Sequence, residues 1–181
     1  SPPRQLRRKL DTLGFAATGA YNLTTLSGTV TGLDVVDAGA RSGADTVTVN
    51  KAFVAATTDA DKLSILGVAG VDGAAISDVT NWMYVGTVTW NPGSGNRSFY
   101  QYRTNDGGLN TLSVQSDLAV TPGIFFYGSA SNDVFTAPSN SFATMSGGTG
   151  TDSMIFADGD YNLGGLSGIS GMDVIDAASH A

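Results

Sequence analysis

The residues with most to offer chemically are the aspartates and the glycines that precede them. Gly147-Gly148-Thr149-Gly150-Thr151-Asp152-Ser153-Met154-Ile155 fits the nonapeptide G-G-x-G-x-D-x-U-x, U a large apolar residue, at every specified position. Glycines let the backbone bend so that carbonyl oxygens converge, the aspartate adds a charged oxygen, and the apolar residue enters a short strand. Such loops suit Ca²⁺, which takes six or more hard oxygens at about 2.4 Å. One loop supplies half a site. A degenerate second copy, Gly128-Ser129-Ala130-Ser131-Asn132-Asp133-Val134-Phe135, lies nineteen residues earlier and keeps the first glycine, the aspartate and the apolar follower. Nineteen is close to two nonapeptides, one full turn of a parallel β-roll. The candidate calcium ligands are therefore Gly128, Asn132, Asp133, Gly147, Gly148, Gly150 and Asp152, with the ion between Asp133 and Asp152. A third remnant, Ser42-Gly43-Ala44-Asp45-Thr46-Val47, is expected to serve as a turn cap.

Other chemistries find little purchase. The chain has one histidine, His180, beside the C-terminal residue, no cysteine and no glutamate. A Ser–His–Asp arrangement needs a base held rigidly, and a zinc site needs imidazole or thiolate ligands. Asp34 and Asp37 recur as Asp173 and Asp176. Repetition together with the scaffold argues for a structural role, so no enzyme is expected. Trp82, Trp90, Tyr100 and Tyr102 cluster mid-chain as candidate glycan-stacking rings. Alternating aromatics also pack cores and cross-strand pairs.

Composition sets the frame for these loops. All sixteen acidic residues are aspartate, the residue of turns and hard-cation sites. Charged residues make up only 14% of 181, too few to line many helix faces. Four of the nine basic residues (Arg4, Arg7, Arg8, Lys9) stand at the start, leaving an acidic body that suits nucleic acid poorly. Residues 1–9 are expected to be a basic tail. No apolar run is long enough to span a bilayer, so membrane insertion is not expected.

The elements follow from an internal repeat. Tyr21-Asn22-Leu23-Thr24-Thr25-Leu26-Ser27-Gly28 returns about 140 residues later as Tyr161-Asn162-Leu163-Gly164-Gly165-Leu166-Ser167-Gly168. Gly32-Leu33-Asp34-Val35-Val36-Asp37 returns as Gly171-Met172-Asp173-Val174-Ile175-Asp176, and Asp11-Thr12-Leu13-Gly14-Phe15 as Asp152-Ser153-Met154-Ile155-Phe156. The spacing implies a first β-rich module at 10–122, and at 123–181 the glycine–aspartate turns with the opening half of a second. Alternating, β-branched or aromatic runs at 45–49, 63–66, 84–90, 98–102 and 111–114 read as short strands. Asp72-Gly73, residues 91–96 and residues 105–108 read as turns, and 51–62 as the one helix candidate. The fold class expected is all-β, built of short-strand sandwich or β-roll (parallel β-solenoid-like) modules with Gly/Asp-rich turns.

The order of motifs after residue 10 resembles the modules of large RTX-type adhesins exported by type I secretion. The resemblance rests on Leu26-Ser27-Gly28, Gly32 to Asp37 and Gly43 to Val49 with the segments at 61–67, 81–82, 85–88, 100–102 and 112–114. It implies an extracellular, bacterial cell-surface protein stabilised by Ca²⁺ and used in adhesion, biofilm or surface coats. Partners would be neighbouring modules, copies of itself, or surface glycans. A carbohydrate-binding module and a self-assembling surface-layer or filament subunit are the alternatives.

Overall fold

A computed structural model describes residues 9–40, 42–57, 62–93, 95–106, 110–121, 124–137, 142–156 and 169–176. The expected basic tail therefore lies outside the described residues except for Lys9. Over these residues the protein is all-β, with one short α-helix and three single-turn 3-10 helices.

The strands alternate between two faces. After β1 (Thr12–Gly14) comes β2 (Ala20–Asn22), then β3 (Val35–Asp37), β4 (Thr46–Val49), β5 (Lys62–Leu66) and β6 (Gly73–Ile76). β1, β3 and β5 pair in parallel in one sheet, while β2, β4 and β6 pair in parallel in another. Each lap of the chain thus lays one strand on each face, directly beside the strand of the lap before. A long hairpin follows, β7 (Trp82–Trp90) and β8 (Arg97–Thr104), before β9 (Thr111–Gln115) and β10 (Ala119–Thr121) resume the laps. Three further laps are made by β11 (Ile124–Tyr127) and β12 (Val134–Ala137), β13 (Phe142–Ser146) and β14 (Ser153–Phe156), and β15 (Ile169–Ser170) and β16 (Val174–Asp176). The first face is a nine-stranded mixed sheet ordered β1-β3-β5-β9-β8-β7-β11-β13-β15. The opposite strands form a four-stranded sheet, β10-β6-β4-β2, and a three-stranded one, β12-β14-β16.

Side-chain alternation fills the space between faces. Val36, Ile65, Leu112 and Val114 on one face meet Val47, Val49, Ala74 and Ile76 on the other, all in one buried cluster. The cluster runs on through Phe125, Phe126, Phe135, Met145 and Met154 to Phe156, so the hydrophobic core is continuous across residue 122. The helix α1 (Lys51–Thr57) lies within the 51–62 stretch the sequence suggested, of which residues 58–61 lie outside the described residues. Asn50 starts it by accepting the Phe53 N–H at 2.8 Å, and Phe53 and Val54 bury its inner face.

The hairpin turn at 91–96 is as expected: the Asn91 side-chain oxygen accepts the Gly93 and Gly95 N–H groups at 2.8 and 3.1 Å. Asp72-Gly73, by contrast, is not a turn, because β6 begins at Gly73. A Cβ there would stand 3.1 Å from the carbonyl oxygen of Ala119, so glycine is what lets β6 and β10 approach.

Candidate cation site in the stacked glycine–aspartate loops

The strand-opening loops share one device. Residues 67–72, 128–133 and 147–152 each run from a glycine to an aspartate five positions on, and the aspartate stands immediately before a strand: β6, β12 or β14. Asp34, Asp45 and Asp173 occupy the same place before β3, β4 and β16, each with a glycine two residues earlier.

Five of these six aspartates tie their lap to the one before. The Asp11 N–H donates to Asp34 Oδ2 at 2.9 Å, that of Asp45 to Asp72 Oδ1 at 2.9 Å, that of Asp133 to Asp152 Oδ1 at 2.9 Å, and that of Asp152 to Asp173 Oδ2 at 2.8 Å. Ionised acceptors make these bonds stronger than neutral ones. In Asp72 and Asp133 a carboxylate oxygen turns back into its own loop. Asp72 Oδ2 accepts the Val68 N–H at 2.7 Å, and Asp133 Oδ2 accepts the Ser129 N–H at 2.6 Å and its hydroxyl at 3.0 Å. Asp45, expected to cap its own turn at 42–47, instead accepts the Gly19 N–H of the lap before.

The residues singled out from the nonapeptide stand together. Gly128, Asn132 and Asp133 lie in one loop, and Gly147, Gly148, Gly150 and Asp152 in the next, in a nineteen-residue register that pairs Val134 with Ser153 and Phe135 with Met154. Their contact is backbone on backbone: a Cβ on Gly128 would fall 2.0 Å from the Gly147 carbonyl oxygen, and one on Gly148 2.2 Å from that of Ser129. Asn132 Oδ1 accepts the Thr151 N–H at 2.9 Å, so that side chain fixes the stack.

Asp152 breaks the pattern. It is 0% exposed, one oxygen holds Asp133, and the other, Oδ2, has no hydrogen-bond partner. A buried carboxylate oxygen without a donor is costly, and a hard cation is one way to satisfy it. Among the described residues no group of three or more Asp, Glu, His or Cys is assembled to hold a metal. A cation at Asp152 would therefore draw its remaining oxygens from backbone carbonyls and water, which Ca²⁺ accepts.

The loop at 67–72 contrasts with this. Its Gly67 carbonyl accepts Arg97 Nη1 at 3.2 Å and Gln115 Nε2 at 3.1 Å. There the chain brings its own positive charge to the loop. Among the described residues, Asp45 Oδ2 is the other buried carboxylate oxygen without a partner. Sequence reasoning read Asp72 as a turn residue and Asp34 and Asp173 only as repeated structural residues, although the G-x-D spacing of all three carried the signal of the stack.

The aromatic candidates divide. Trp82 and Tyr102 are wholly buried, which corrects their assignment as sugar platforms: neither ring offers a face to a ligand. Trp82 donates its indole N–H to Asp78 at 3.0 Å, and Tyr102 stacks on Phe125 at 4.9 Å. Burial pushes the Tyr102 hydroxyl well above the usual phenol range. Trp90 and Tyr100 are partly exposed. Trp90 stacks on Phe99 at 5.3 Å and borders a cleft of about 370 Å³ with Leu10, Asp34, Lys62 and Gln101. His180 lies outside the described residues. Comparison with protein-family models, with curated proteins and with solved structures found no match to this chain.

Proposed function

We propose that this chain is a non-catalytic, calcium-stabilised structural or adhesive module of a secreted bacterial cell-surface protein, and that its laps form a parallel β-roll. The observation that carries the reading is Asp152: a buried carboxylate with one oxygen fixing the neighbouring loop and the other left without a donor, in the one loop that matches the nonapeptide throughout. The nineteen-residue register between the 128–133 and 147–152 loops supports it. So does the use of equivalent aspartates as backbone anchors lap after lap, a structural rather than catalytic use. The adhesive and extracellular part of the reading rests on the resemblance to type I-secreted adhesins.

Thermal unfolding with millimolar Ca²⁺ and with chelator tests the metal. Ca²⁺ should raise Tm in a concentration-dependent way, since a ligand of the folded state alone stabilises it by mass action. Equal melting in Ca²⁺, Mg²⁺ and chelator would remove the cation from the proposal.

A further inference from the structure

The two ends of the sequence repeat make the same parallel strand pair, once in the nine-stranded sheet and once in the three-stranded one. β1 pairs with β3 as Thr12↔Val35 and Leu13↔Val36, and β14 pairs with β16 as Ser153↔Val174 and Met154↔Ile175. The connections match bond for bond. Asp34 and Val35 both donate N–H groups to the Asp11 carbonyl at 3.0 and 3.1 Å, and Asp173 and Val174 both donate to the Asp152 carbonyl at 3.0 Å. The reverse bonds, Asp11 N–H to Asp34 and Asp152 N–H to Asp173, also correspond. β16 is therefore β3 over again.

Their surroundings differ. β3 is covered by β5, which pairs Ser64 with Val35 and Ile65 with Val36 and sends the Ser64 N–H to the Asp34 carbonyl at 2.9 Å. Under it Val35 and Val36 are 1% and 0% exposed. β16 is the last strand of its sheet among the described residues, and its Val174 and Ile175 are 45% and 49% exposed. The first lap is treated differently, because Phe15 and Tyr21 stack there at 3.7 Å between centroids. Stacked-repeat folds need their terminal apolar faces covered, and an edge strand is a template for another strand.

From this we infer that the β16 edge is a docking site for a parallel polypeptide strand of β5 chemistry. The bound strand would set a small hydroxyl residue against Val174 and a branched apolar residue against Ile175, with a cationic residue two positions before the hydroxyl. The last feature follows from charge. Lys62 borders the same cleft as Asp34, and Asp173 repeats Asp34. The inference rests on the repeat-module reading but not on the cation.

The test uses the full chain and a labelled synthetic peptide with the sequence of residues 61–68, followed by fluorescence anisotropy. Saturable binding is expected, weakened at least about tenfold by Ile175→Lys in the protein or by aspartate in place of the isoleucine in the peptide. A scrambled peptide should not bind. Hydrogen exchange at residues 174–176 should slow on binding, which a surface-adsorbed peptide would not produce. No saturable binding, or binding that ignores Ile175→Lys, overturns the inference. A concentration-dependent dimer, abolished by Ile175→Lys and unable to take the peptide, overturns it in favour of a second copy at this edge. Because Ca²⁺-dependent melting is measured separately, loss of peptide binding with an intact calcium response refutes the docking site alone.

Discussion

The backbone N–H of Asp133 rests on the carboxylate of Asp152, 2.9 Å away and nineteen residues later in the chain. That bond holds two successive loops in register and places Phe135 against Met154 in the core. The same carboxylate keeps one buried oxygen without a donor. Stacking and the proposed cation capture would thus be two uses of one side chain, and substitutions can separate them.

Asp152→Asn retains an acceptor for the Asp133 N–H and loses the charge. Its Tm in chelator should stay near that of the parent while the calcium-induced rise disappears. Asp152→Ala also leaves the Asp133 N–H without its acceptor, and should cost a further 1–3 kcal/mol or so in denaturant unfolding. Identical behaviour of the two variants would contradict this division of labour.

Gly147→Ala should be among the most damaging small changes in the chain. The added methyl has the Gly171 carbonyl at 2.0 Å and the Asp152 carboxylate at 2.5 Å, and both belong to the stack. A loss of about 3 kcal/mol or more is expected from urea unfolding. Gly14→Ala is the control. Its nearest neighbour would be the Ala40 methyl at 3.6 Å, an ordinary contact, so its effect should stay under about 1 kcal/mol.

Arg97→Met keeps much of the apolar stem and removes the guanidinium. Gly67 O then loses one donor, and Gln115 Oε1 loses the Arg97 bond. A cost of about 1–3 kcal/mol is expected, measured by chemical denaturation. Ca²⁺ should still raise the Tm of this variant by the parental amount, because the cation is assigned to the Asp152 loop.

The Tyr102 hydroxyl is buried without a hydrogen-bond partner and ionises well above the usual phenol range because of that burial. Above a pH of about 10 the unfolded chain releases the Tyr102 proton and the folded chain retains it. The unfolded state then binds fewer protons, so stability falls as pH rises. Tyr102→Phe should be close to neutral at pH 7, since it removes an unpaired polar atom. It should also flatten the alkaline loss of stability by up to about 1.4 kcal/mol per pH unit. Parallel pH profiles for parent and variant would contradict the assignment.

Much of the architecture was legible locally. Alternation marked β4, β5, β8 and β9, the asparagine–glycine loop marked the β7–β8 hairpin, and Gly147 to Ile155 marked a loop that opens a strand. The 140-residue repeat was visible, and it corresponds to two equivalent strand pairs. What local sequence withheld was set by neighbouring laps. Gly73 looks like the second half of a turn until the Ala119 carbonyl is seen where its side chain would stand. Asp72 looks like a turn residue until the Asp45 N–H is found on its carboxylate, a partner twenty-seven residues distant. Trp82 and Tyr102 share alternating strands with Trp90 and Tyr100, and only the packing of Phe125 and Phe126 against the hairpin decides which rings are inside.

The central claim is that Asp152 shares its carboxylate between the Asp133 backbone and a calcium ion. Crystals grown with millimolar Ca²⁺ and measured for calcium anomalous scattering test it most directly. The expected result is a peak about 2.4 Å from Asp152 Oδ2, ringed by backbone carbonyl oxygens of the two loops. An ordered loop pair with no peak there, and with Oδ2 satisfied by a protein or water donor, would contradict the account.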